Sequence, residues 1–159
     1  MERVRNVIKL GTVEATFSEI FNYKDYYSYD FSPFRKKALI KIRARVLIGY
    51  DLDSIDIKLD YFSQTIQVSK IPPAKIISID HDLEYYDITE GSFNTFSKDD
   101  YNMLQKQSKE FIRKKVEDSD LFTQADKELY EHLNTLDWLL EESGWKLNIK
   151  ESKRGNLRN

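Results

Sequence analysis

Ile40, Ile42, Ala44, Val46 and Ile48 recur at every second position, with Lys41, Arg43 and Arg45 between them. A period of two reads as a strand with one face on a core and the other toward water or a partner. The same period runs from Thr12. Val13, Ala15, Phe17, Phe21 and Tyr23 share one face, Glu19 is the exception, and Thr12, Glu14, Thr16 and Ser18 point the other way. Ile55, Ile57 and Leu59 carry a strand through Phe62, where Ser63-Gln64 reads as a tight turn into a second hairpin strand. Pro72 and Pro73 end that strand, because neither donates to a ladder. Residues 74–82 resume extended structure, and residues 83–88 read as a further short piece. Val4, Val7 and Ile8 instead sit at helical spacing with Gly11 behind them, which predicts a short helix over 2–10.

After Gly91 the period lengthens. Ser97 and Asp100 have capping-box spacing, and Leu104, Ser108, Phe111, Ile112 and Val116 form a helical stripe behind them. A second helix runs through Leu129, Leu133, Leu136 and Leu140. Gly144 has the position of its left-handed cap, and Trp145 that of the apolar contact that follows such caps. Leu147 and Ile149 alternate with charges, so a last strand returns to the sheet. The expected class is α+β: a mostly antiparallel sheet, two C-terminal helices packed on one face, and a final return strand. One domain is expected over residues 1–150, with 151–159 a frayed polar tail.

Composition narrows the functional field. With 159 residues, 40% hydrophobic and 33% charged, the chain has the make-up of a wet-surfaced globular protein. A net charge of −2 gives no bulk electrostatic case for nucleic acid or an anionic membrane. The charge is uneven, however: residues 1–45 hold ten Lys/Arg against five Asp/Glu, and residues 46–105 hold four against eleven. The absence of cysteine excludes thiolate metal sites, disulfides and cysteine nucleophiles. Residues 1–11 lack the apolar core of a signal peptide, and no run of eighteen apolar residues offers a membrane span.

Four groups of residues could carry chemistry. Asp51, Asp53 and Asp56 follow the basic strand and begin like a calcium loop, but neither the turning glycine nor the closing glutamate appears. The plainer expectation is that they cap a turn. Asp80-His81-Asp82 offers a general base or a ligand. Neighbours on a strand point to opposite faces, though, so His81 cannot converge with both carboxylates while the strand continues. The other histidine, His132, belongs to the second helix. No Gly-x-Ser-x-Gly elbow or phosphate-cradling glycine loop is present, so no nucleophile and no cofactor is indicated. The last group is a surface. Residues 21–34 hold seven aromatic rings, and Tyr26, Tyr27, Tyr29, Phe31 and Phe34 lie near Lys41, Arg43 and Arg45 on the basic strand face. Rings beside cations suit single-stranded nucleic acid, yet rings of this kind are more commonly buried between strands.

Several segments together resemble a known family: "LGTVEATFSEI", the Gly-x-Asp-Leu step at Gly49–Leu52, the Pro-x-x-x-Ile-x-Ser block at Pro72–Ser78, and Phe93-Asn94 ahead of the first long helix. Their order and spacing are similar to the bacterial domain-of-unknown-function family 4230, over roughly residues 8–150. The resemblance implies no defined activity or catalytic residue. It implies a domain that often follows a membrane anchor, which this sequence does not include, leaving an envelope-associated or a cytoplasmic protein. The expectation is a non-enzymatic binding or scaffold domain with an unidentified partner, a protein among the possibilities. Two alternatives stand beside it: an Asp/His hydrolase or lyase at Asp80, His81 and Asp82, and a nucleic-acid or polyanion binder on the Lys41–Arg45 face.

Overall fold

The computed structural model describes residues 9–26, 35–90 and 95–149. Residues 2–8 of the helix expected over 2–10, the aromatic run Tyr27–Phe34, Phe93-Asn94 and the polar tail lie outside the described residues. The class is α+β, with strands first, then two helices, then a short strand. The elements are β1 (Lys9–Tyr26), β2 (Arg35–Asp51), β3 (Asp56–Asp60), β4 (Thr65–Lys70), β5 (Lys75–Glu90), α1 (Lys98–Glu117), α2 (Leu121–Glu142) and β6 (Lys146–Ile149). The strands divide between two three-stranded sheets, ordered β1-β2-β5 and β3-β4-β6.

Two strand boundaries in the first of these sheets differ from the expectation. Lys9 and Leu10 belong to β1, so Gly11 sits inside a strand and does not stop a helix. Residues 75–90 form one unbroken strand, so the 83–88 piece is its continuation. The paired strands explain both: β1 and β5 flank β2, which is long enough to give each a full-length partner. Arg45 meets Glu14 and Gly49 abuts Leu10, so numbering rises along β2 as it falls along β1. Arg43 with Glu84 and Asp51 with Lys75 show the same opposite sense for β2 and β5. Gly49 has a local reason to be glycine. A Cβ there would lie 1.9 Å from the Leu10 carbonyl oxygen, which only a bare backbone avoids.

By compactness the described residues form two units. The first takes them from Met1–Val13, Ile48–Ile77 and Leu121–Asn159; the second from Glu14–Leu47 and Ser78–Asp120.

The second unit packs α1 on one face of its strands. Ala38, Ile40, Ile42, Ala44 and Val46 are buried from β2, and Leu104, Ser108, Ile112 and Val116 from α1. Each large aliphatic side chain buried this way contributes about 2 kcal/mol. Rings extend the contact: Phe21 lies 5.5 Å from Phe111 and Tyr23 lies 6.1 Å from Phe96, centre to centre. The helix starts with the expected capping box. Asp100 N–H donates to Ser97 Oγ at 3.3 Å, and Ser97 N–H donates to Asp100 Oδ2 at 2.7 Å. The other Asp100 oxygen accepts from Lys36 Nζ at 2.7 Å, and Lys36 is only 5% exposed. Together these bonds hold the Asp100 carboxyl at about 2, with the lysine as the largest cause and Ser97 the next.

The first unit contains the hairpin of β3 and β4, antiparallel with Leu59 opposite Ile66 and Asp60 opposite Thr65. Its turn is longer than Ser63-Gln64. Asp60 ends β3 by accepting from the N–H groups of Phe62 and Ser63, at 2.9 and 3.2 Å, which puts Tyr61 and Phe62 in the turn. Gln64 then takes a left-handed φ of 49°. At the end of α2, Gly144 has φ 81°, Trp145 N–H donates to Leu140 O at 2.9 Å, and Gly144 N–H donates to Glu141 O at 3.0 Å. That is a Schellman cap. The Trp145 ring then meets Tyr61 edge-on at 5.7 Å. From this cap the chain enters β6, which runs parallel to β4 with Leu147 opposite Ile66.

Candidate binding surface

The basic face of β2 is answered largely by its neighbours. Arg43 pairs with Glu84 of β5, and Arg45 lies 3.7 Å from Glu14 of β1. Lys41, between these strands, is half-buried. Alternation along flanking strands brings carboxylates opposite the arginines, so the net field of this face is far weaker than its sequence suggests. Of the aromatic group beside it, Tyr26 closes β1, and Tyr27, Tyr29, Phe31 and Phe34 lie outside the described residues.

The three aspartates after β2 do not share a point. Asp51 accepts from Lys75 Nζ at 2.6 Å, and that bond is the main reason its carboxyl lies below the usual range. Asp53 is exposed in the 3-10 turn at Leu52–Ser54, and Asp56 is exposed at the start of β3. Asp80, His81 and Asp82 stay within the regular part of β5, so their side chains alternate. His81 is half-buried, and its Nε2 donates to the Gln105 carbonyl oxygen of α1 at 3.3 Å, while Asp80 and Asp82 are exposed. His132 is exposed on α2. Among the described residues no three histidine, aspartate or glutamate side chains converge to hold a metal ion.

Arg43, Arg45, Asp80, His81 and Asp82 do line one open cavity of about 630 Å³ in the second unit, with Thr16 beside them. The structure also brings together a set that the sequence did not single out. In the first unit, β3 is an edge strand: β4 lies on one side of it, and among the described residues no strand lies on the other. All five of its residues are exposed, Ile57 at 58% and Leu59 at 52%. Tyr61 and Phe62 continue the edge at 74% and 102% exposure. Behind it, an apolar cavity of about 190 Å³ is lined by Ile57, Ile66, Val68, Leu133, Leu136 and Leu147 among others. One signal in the sequence marks this surface. Two rings occupy a turn whose positions usually go to Gly, Asn, Asp or Ser.

A family model described as "Protein of unknown function (DUF4230)" matches residues 2–150. The chain belongs to this family. No curated protein and no solved structure matches it. In this DUF4230 member the Gly49–Leu52 step is the close approach of β2 to Leu10 followed by the 3-10 turn. The Pro72–Ser78 block is the link that starts β5. No described helix is long and apolar enough to cross a membrane.

Proposed function

We propose that this DUF4230 domain is a non-enzymatic binding or scaffold module, working through the exposed edge of its first unit. The observation that supports this reading is the run Ile57, Leu59, Tyr61 and Phe62, each more than half exposed on one strand and its turn. Apolar surface of that kind, beside a strand edge that no described strand covers, is where partners add. The Asp80–Asp82 segment supports it indirectly, since His81 is directed to a helix carbonyl, away from its neighbouring carboxylates.

The test is a photo-crosslinking aromatic residue placed at Phe62, with Lys98 on α1 as the control position. Discrete adducts from position 62, lost when Leu59 is changed to aspartate, are expected. Equal labelling from both positions, or none from position 62, refutes the reading. A bacterial, envelope-associated setting is part of the same proposal and draws on the family resemblance. Fractionation of cells producing the native gene product tests it: recovery with membranes is expected, and a wholly soluble product refutes it.

A further inference from the structure

The geometry points to β3 as the seat of two-fold, antiparallel pairing with β3 of a second copy of this chain. The inference rests on the binding reading above and names its partner. Exposed strand edges are usually protected, and β3 carries two familiar protections: a central lysine and a register shift between Asp56 and Ile57. What sets this edge apart is the order of its charges. Asp56-Ile57-Lys58-Leu59-Asp60 places a cation between two anions, with apolar residues in the alternate positions.

Antiparallel pairing of such a strand with itself depends on register. With Lys58 on the axis, Lys58 faces Lys58 and Asp56 faces Asp60, so like charges oppose along the edge. Moving the axis to Leu59 reverses this. Lys58 of each copy then faces Asp60 of the other, Leu59 faces Leu59, and Ile57 comes up to the other copy's turn at Tyr61. Each contact occurs twice by symmetry except the one on the axis. Both opposite-charge pairs fall on one face and Ile57 and Leu59 on the other, with Tyr61 in the turn just past the strand; all three apolar residues are more than half exposed. Moving the axis to Ile57 also pairs Asp56 with Lys58, but it recruits Ile55, which is already half-covered against the apolar cavity. The Leu59 register therefore covers more apolar surface. Asp60 is suited to its part: its turn bonds, first among them to Ser63, hold its carboxyl below the usual range, so it stays anionic.

Sedimentation of the full chain is expected to show a reversible dimer. Lys58→Asp, which sets an aspartate against Asp60 of the second copy, is expected to weaken association at least about tenfold with thermal unfolding unchanged at concentrations where both proteins are monomeric. Because the chain has no cysteine, a single thiol reports the register. Residues facing each other across antiparallel strands have Cα atoms about 4.5–5.5 Å apart, within disulfide range. Leu59→Cys is thus expected to yield a covalent dimer on oxidation, and Lys58→Cys is not. A monomer up to about 100 µM, a dimer indifferent to Lys58→Asp, or equal linkage through both thiols overturns the pairing. If position 62 crosslinks to a different protein while the chain sediments as a monomer, the second-copy inference fails and the binding reading stands. If there is neither adduct nor dimer, both fail.

Discussion

Lys36 and Asp100 offer a direct test of how the second unit is held together. Lys36 is a charged residue near the start of β2, yet its side chain is 6% exposed, against 13% for Asp100. Besides the carboxylate, the ammonium meets the Phe96 ring, 5.3 Å from its centre. Asp100→Ala removes the countercharge, leaves a buried cation beside an aromatic face, and opens the capping box. Breaking a buried pair costs about 3–5 kcal/mol, and losing a cap about 1 kcal/mol. Partial solvent access at Asp100 favours the lower end, so a loss of about 3 kcal/mol is expected. Lys36→Met differs in kind. It removes the cation while Ser97 still holds the carboxylate, so a loss of about 1 kcal/mol or less is expected. The carboxyl titrates at about 2 in the folded protein against 3.8 for the free group. A depressed carboxyl stabilises above its unfolded value, and that stabilisation is lost as pH falls from near 4 through 2. Integrated, the shift amounts to at most about 2 kcal/mol. Denaturant titrations at fixed slope, from pH 6 down to pH 2, measure all of this. Equal losses for Asp100→Ala and Lys36→Met, or an acid-induced decline undiminished in Asp100→Asn, would refute the reasoning.

Other substitutions probe single contacts by the same assay. Tyr50 is buried, and its hydroxyl donates to Asp126 Oδ1 at 2.5 Å, so Tyr50→Phe should cost about 2 kcal/mol, the range for a bond to a charged group. Gly49→Ala drives a Cβ into the Leu10 carbonyl and should cost more than about 3 kcal/mol; a near-neutral result would disprove the close approach. Ser108 Oγ is buried on α1 with no hydrogen-bond partner among the described residues. Ser108→Ala should therefore be neutral or stabilising by up to about 1 kcal/mol, and a clear loss of stability would reveal a hidden acceptor.

What could be read from the sequence was local. The β2 alternation, the Ser97–Asp100 box and the Gly144 cap each declare themselves within a few residues, and each stands in the structure. Pairings distant in the chain were not legible. The burial of Lys36 could not be read because the carboxylate that justifies it comes 64 residues later. Arg43 and Arg45 read as an open cationic face because their partners sit on flanking strands. Leu10 fits a helical spacing, and only its place beside Gly49 of β2 shows it to be strand. The exposed β3 edge was hidden for a related reason. Alternation shows that a strand has two faces, not whether a neighbour occupies its side.

The parallel pairing of β4 with β6 also bears on how the chain is born. Vectorial synthesis makes β3 and β4 early, but β6 comes after α2, near the end of the matched residues. At about 5–20 residues per second, the growing polypeptide waits several seconds with β4 unaccompanied on the side that β6 will take. Throughout that interval the hairpin can adopt any extended segment that drifts past, including one from a neighbouring ribosome on the same message. Emergence of Lys146–Ile149 closes that window. A stop codon just before Lys146 would leave it open for the life of the protein.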